Sequence, residues 1–143
     1  MTELREILEE KGSEVLTIEG DASVLDAVAR MVEANVGSLL VTEGGEIAGI
    51  VTERDYLRRV ALEARDDRST PVREIMSAPL IVVTRETTVD ECMALMTDRR
   101  IRHVPVVEGG EVVGMVSIGD LVKFRSRQQT FEIQYLTHYI TSG

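Results

Sequence analysis

Cysteine, aromatic residues and long apolar runs are all scarce in this chain, and each scarcity excludes something. A lone Cys92 rules out an internal disulfide and supplies no thiol cluster for zinc. No apolar run approaches the roughly 20 residues that a membrane-spanning helix needs. The aromatics number five, Tyr56, Phe124, Phe131, Tyr135 and Tyr139, with no tryptophan. All fall after a predicted hairpin strand, so no strand offers a base-stacking platform. Positive charge is also short. Sixteen Lys and Arg against 25 Asp and Glu leave a net charge of −9, which disfavours binding to phosphate backbones. The acidic, amphipathic N-terminal stretch is unlike a secretory or organellar leader. A cytosolic protein with neither nucleic-acid nor membrane partners is the expectation.

What the chain does have is an internal echo. Glu43 to Asp55, EGGEIAGIVTERD, returns as Glu108 to Asp120, EGGEVVGMVSIGD, 65 positions later and without a gap. Between residues 24–57 and 89–122, 11 of 34 positions are identical. Most other pairs are apolar with apolar. A repeat of about sixty residues buries too little surface to be stable alone. The two copies are therefore expected to form one pseudo-symmetric pair in a chain of 143 residues.

Taken in order, residues 3–11 read as a short helix with Leu4, Ile7 and Leu8 on one face and Gly12 as its stop. Val15 to Ile18 reads as a strand. Ser23 with Asp26, and Thr88 with Glu91 in the echo, have capping-box spacing. Val24, Ala27, Val28, Met31 and Val32 then predict an amphipathic helix to about Asn35, with Gly37 helping to end it. Ser38 to Thr42 and Ile47 to Val51 form a hairpin around Gly44-Gly45. A helix opens at Thr52. The expected class is α+β, two β-α-β-β-α repeats. The N-terminal helix takes 1–14, the first repeat 15–64, a linker 65–79, and the second repeat 80–127. The linker's Pro71 starts a short helical turn through Met76. A helical tail over 128–143 carries Phe131, Tyr135, Leu136, Tyr139 and Ile140 on one face.

A strand containing glycine, then Thr or Ser, two residues and Asp, opens a helix twice: Gly49 to Asp55 and Gly114 to Asp120. Thr-x-x-Asp and Ser-x-x-Asp are also capping boxes, which accounts for the spacing without a ligand. The alternative is a helix N-terminus facing a cleft, where the carboxylate accepts hydrogen bonds from a sugar diol. Gly49 and Gly114 favour a close approach, because glycine inside a strand usually marks a bulge or a tight neighbour.

These paired elements, with Arg102-His103-Val104-Pro105-Val106-Val107, resemble the cystathionine-β-synthase (CBS) domain pair, often called a Bateman module, over about residues 15–125. The segment between the repeats and the tail resemble those of small stand-alone CBS-pair proteins. The resemblance implies an adenosine-containing ligand in clefts between the repeats: AMP, ADP, ATP or NAD, with S-adenosylmethionine less expected. It implies Asp120 or Asp55 on the ribose, with Ser117 and Thr52 beside them. Aliphatic walls around the base would draw on Val82, Val83, Val104 and Pro105, and Thr17 and Ser38 complete the first-repeat set. It also implies a homodimer, a disc of four CBS domains, and a regulated partner protein.

The repeats are unequal. Arg99, Arg100, Arg102 and His103 face Ala34, Asn35, Gly37 and Ser38 at the offset. Cations at a helix C-terminus suit its dipole, which accounts for Arg99 and Arg100. Arg102 and His103 lie where a strand begins and are read as phosphate contacts, as is Arg54. His103, Ser117 and Asp120 are not a catalytic triad, since no nucleophile elbow surrounds the serine. His138 is expected at the surface, and Cys92, aligned with Ala27, in the core. No metal-ligand spacing or phosphate-binding Walker loop occurs. A nucleotide-sensing regulatory module is the expectation, a ligand-free scaffold the alternative. An enzyme is the weakest reading, because no catalytic barrel fits in this length.

Overall fold

The computed structural model describes residues 2–128, and the chain divides into two compact units. One unit takes residues 14–81, the other residues 1–13 together with 82 onward. The N-terminal helix therefore belongs with the second repeat, not with the first, which it precedes in the chain.

In the unit of residues 14–81, strand β1 (Thr17–Glu19) runs parallel to β2 (Ser38–Glu43), which pairs antiparallel with β3 (Glu46–Thr52). The β2–β3 turn is Gly44-Gly45, with φ of 61° and 81°. Two successive positive φ values define the tight hairpin turn that glycine accommodates without strain. Helix α2 (Val24–Ala34) starts at Ser23, whose side chain accepts the Asp26 N–H at 3.0 Å. It ends at Asn35, in the left-handed conformation with φ 56°. The stop thus comes two residues before Gly37. Helix α2 buries Val24, Ala27 and Met31 against Leu39, Val41 and Val51 of the sheet. Val32, expected on that apolar face, is instead 75% exposed. Helix α3 (Glu53–Tyr56) passes into a wider π-turn over Leu57–Ala61. The segment after it returns through a short 3-10 turn, Val72–Glu74, and docks on β3. There Ile50 and Ser77 exchange backbone hydrogen bonds of 3.0 and 2.8 Å.

The other unit holds α1 (Leu4–Lys11), α4 (Val89–Arg99), the antiparallel hairpin β4 (His103–Glu108) and β5 (Glu111–Ser117), and α5 (Ile118–Gln128). Gly12 ends α1, giving its N–H to the Leu8 carbonyl at 2.9 Å. Leu4, Ile7 and Leu8 are each under 5% exposed, packed with Cys92, Met96, Val104, Val106, Val116 and Leu121. Burying three such side chains stabilises the attachment of α1 by roughly 1.5–3 kcal/mol each. Thr88 and Glu91 complete the capping box of α4. Arg100 ends α4 in the left-handed conformation, as Asn35 ends α2.

The leading strand expected for the second repeat shrinks to a single parallel bridge, Val83 with Val106. Pro105 supplies the reason. In the first repeat Leu40 gives its N–H to the Leu16 carbonyl at 3.0 Å. Its counterpart at the 65-residue offset is Pro105, which has no N–H to give Ile81. Only the Val83 N–H to Pro105 and Val107 N–H to Val83 bonds remain. The apolar face expected on residues 131–140, and His138, lie outside the described residues.

Candidate functional site

The two Gly-x-x-Thr/Ser-x-x-Asp elements fold alike. In each, the hydroxyl residue ends the second hairpin strand and the Asp sits in the first turn of the next helix. Asp55 Oδ2 accepts from the Thr52 backbone N–H at 2.9 Å and the Thr52 hydroxyl at 3.1 Å, while Oδ1 accepts from Ser77 Oγ at 3.1 Å. Asp55 is only 8% exposed. Asp120 Oδ2 accepts from the Ser117 N–H at 2.8 Å and from Lys11 Nζ at 2.7 Å. Asp120 returns the bond, its N–H reaching Ser117 Oγ at 3.1 Å. Capping therefore occupies both motifs, in one unit with a hydroxyl as further donor and in the other with an ammonium.

The hairpin register assembles the neighbours. His103 pairs with Ser117 across β4–β5, as Ser38 pairs with Thr52 across β2–β3. The Ile118 N–H reaches the Arg102 carbonyl at 2.8 Å, and the Glu53 N–H reaches Gly37 at 3.1 Å. Arg102, His103, Ser117 and Asp120 thus meet at one end of the second hairpin, with Arg102 exposed and His103 half-buried. Thr52, Arg54, Asp55 and Ser38 meet in the same way in the first unit, where Thr17 lies on the adjacent strand, paired with Leu40. Arg54 is half-buried.

The aliphatic residues divide. Along β4, alternate side chains face opposite ways, and Val104 and Val106 enter the core. Val104 is fully buried and Val83 is 7% exposed, both packed into that core. Pro105 is on the opposite face from Val104 and is buried, and Val82 is 41% exposed. Pro105 shares the His103 face of β4, and of the four aliphatic residues Val82 alone is exposed.

The glycines serve packing. A Cβ on Gly49 would lie 2.8 Å from the Ser77 carbonyl oxygen and from Met76 Sδ, and one on Gly114 would lie 2.7 Å from Leu8 Cδ2. The close approach expected at these positions is that of the chain's own segments. Lys11 and Ser77, the further donors to the motif carboxylates, are what sequence reading missed. Both fall outside the repeated block. The one available signal was positional, since Lys11 meets Met76, the neighbour of Ser77, at the same 65-residue offset.

Cys92 is fully buried, and burial pushes its thiol up to about 11. It is a core residue. Among the described residues no group of three His, Cys, Asp or Glu could hold a metal ion, and no helix is long and apolar enough to cross a membrane.

Comparison with known proteins gives one answer. The CBS-domain profile matches residues 4–62 and 72–127. The chain is 43% identical to the mitochondrial CBS domain-containing protein CBSX3 of Arabidopsis thaliana, over 99% of this chain and 73% of that protein. Among solved structures, a protein with CBS domains from Burkholderia ambifaria superposes with a TM-score of 0.86 at 46% identity, over 90% of this chain and 96% of that one. A hexameric CBS-CP12 protein from bloom-forming cyanobacteria superposes with a TM-score of 0.76 at 35% identity, over 85% and 70%. Two matched segments, one on each copy of the internal echo, place the chain in the CBS-domain family as a tandem pair.

Proposed function

We propose that this pair binds an adenine nucleotide, AMP, ADP, ATP or NAD, and reports its level to a regulated protein. CBS pairs are a regulatory family that often binds adenine nucleotides. One observation supports the reading for this chain: the register pairing of His103 with Ser117 brings Arg102 and His103 to the end of the hairpin that also carries Ser117 and Asp120. A carboxylate suits ribose hydroxyls, and a guanidinium suits phosphate, within one short stretch. S-adenosylmethionine, which brings positive charge, suits such a cluster less. The role is regulatory and not catalytic. A reducing compartment such as the cytosol suits a lone thiol, and fractionation of the native host tests it.

Thermal melts with and without millimolar AMP, ATP, NAD and S-adenosylmethionine test the ligand. A nucleotide at 100 times its dissociation constant stabilises by about 2.7 kcal/mol. No shift with any of the four would favour the scaffold reading. That second reading has its own observation. Beside α2 and α3 lies a groove of about 470 Å³ walled by Val28, Met31, Val36 and Leu57, with Val32 75% and Leu57 57% exposed. Such a face suits burial against another chain. We assign it to a second copy, since two-fold pairs are the commonest closed assembly. Sedimentation at micromolar concentration should give at least a dimer. A 15.9 kDa monomer would exclude that assignment.

A further inference from the structure

Helix α1 ends in two residues of opposite charge, and both reach α5. Lys11 Nζ contacts Asp120 Oδ2 at 2.7 Å and the Met115 carbonyl at 2.8 Å. Arg127 Nη1 contacts Glu10 Oε2 at 2.5 Å. These residues line a small recess of about 80 Å³ between the two helices. Two residues after Lys11 the chain leaves this unit, and Glu14 begins the other. Lys11 therefore fastens the end of the connecting segment to the carboxylate that the proposed ligand would claim.

From this geometry we infer that Lys11 is a ligand-released clasp. The inference rests on the nucleotide reading for its trigger. A ribose whose hydroxyls donate hydrogen bonds to Asp120 competes with the ammonium for the same carboxylate. Occupancy then frees the last turn of α1 and residues 12–13. The rest of α1 stays in place, because Leu4, Ile7 and Leu8 are buried in the core. The first repeat differs at the matching carboxylate. There the further donor to Asp55 is Ser77, a neutral hydroxyl held by the backbone exchange with Ile50. The second-repeat carboxylate is tied by a long cationic side chain that can swing away.

Amide hydrogen exchange at Lys11 and Gly12 reads the clasp directly, since the Gly12 N–H is bonded to Leu8. Lys11→Met and Asp120→Asn should each speed exchange there about two- to fivefold, the range set by losing a partly exposed ion pair. The double variant should add nothing further. In the unaltered protein, AMP should speed exchange at Lys11 and Gly12, and in Lys11→Met it should leave exchange there unchanged. If AMP raises the melting temperature yet leaves these amides unchanged or slows them, the clasp is overturned and the nucleotide reading survives. If AMP, ATP and NAD all fail to bind, the nucleotide trigger falls, and the variants alone judge the clasp. Equal, non-additive acceleration supports it, and protection unchanged in either single variant overturns it.

Discussion

Leu8 of α1 lies directly over Gly114 of β5, so close that a methyl group on the glycine would stand 2.7 Å from Leu8 Cδ2. Gly49 has the matching relationship with residues 76–77, but there the nearest atoms include a backbone oxygen, Ser77 O, at 2.8 Å. A leucine methyl can turn aside, whereas a carbonyl in a two-way backbone exchange with Ile50 cannot. Overpacking a filled site costs typically 1–3 kcal/mol. Gly49→Ala should fall at the upper end and Gly114→Ala at the lower. Urea unfolding of the two variants tests the order, and equal losses would show that the docked segments yield alike.

The two motif carboxylates should also separate by substitution. Asp55 is 8% exposed and holds Thr52 and Ser77 together. Its loss leaves half-buried donors without their partner, at about 1 kcal/mol for each. Asp120 is more open, with 23% of its side chain exposed. Asp120→Ala should cost roughly 1 kcal/mol as a lost cap and weaken nucleotide binding as well. Chemical denaturation beside calorimetry distinguishes the two. Unchanged affinity with a lowered melting point in Asp120→Ala would make that residue a cap alone.

Acid should loosen α4 through Glu91. The Thr88 backbone N–H, and then its hydroxyl, hold the Glu91 carboxyl below its ordinary range. A carboxyl held low in the folded state stabilises it at neutral pH. That contribution disappears as pH falls through the depressed value. Glu91→Gln removes the titration while keeping a hydrogen-bond acceptor. The difference in unfolding midpoint between the two proteins should therefore shrink from neutral pH toward acid. A difference independent of pH would mean that Glu91 acts only by shape.

Most of the architecture was legible because its determinants are local. A capping box spans four residues, a Gly-Gly turn two, and the 65-residue echo makes each element count twice. What escaped depends on partners distant in the chain. Pro105 shortens a strand only because its neighbour needs an N–H from that position, which appears once β1 and β2 are seen paired. Lys11 and Asp120 lie 109 positions apart, and no periodicity links them. The glycines were read correctly as sites of close approach. What approaches them is the chain itself, a distinction that residue type alone does not carry. Val104 and Val83, which the family resemblance put in a ligand wall, both pack into the core.

Charge should decide which repeat binds. Arg102 and His103 begin β4, while Gly37 and Ser38 stand at the same place in the first repeat. A guanidinium contact to phosphate is roughly twice as strong as a neutral one. The first-repeat set has Arg54 alone, and in a chain of net charge −9 the site poorer in cations holds a polyanion less well. Lys11 adds a further ammonium on the second-repeat side, 2.7 Å from Asp120. One dominant nucleotide site per chain is therefore expected, weakened by added salt and by Arg102→Ala. Adenosine, which lacks phosphate, should lose most of the salt dependence. Isothermal calorimetry of AMP and adenosine at two ionic strengths checks all of this. Two equal sites per chain, or normal AMP binding by Arg102→Ala, would remove the second-repeat cations from any part in recognition.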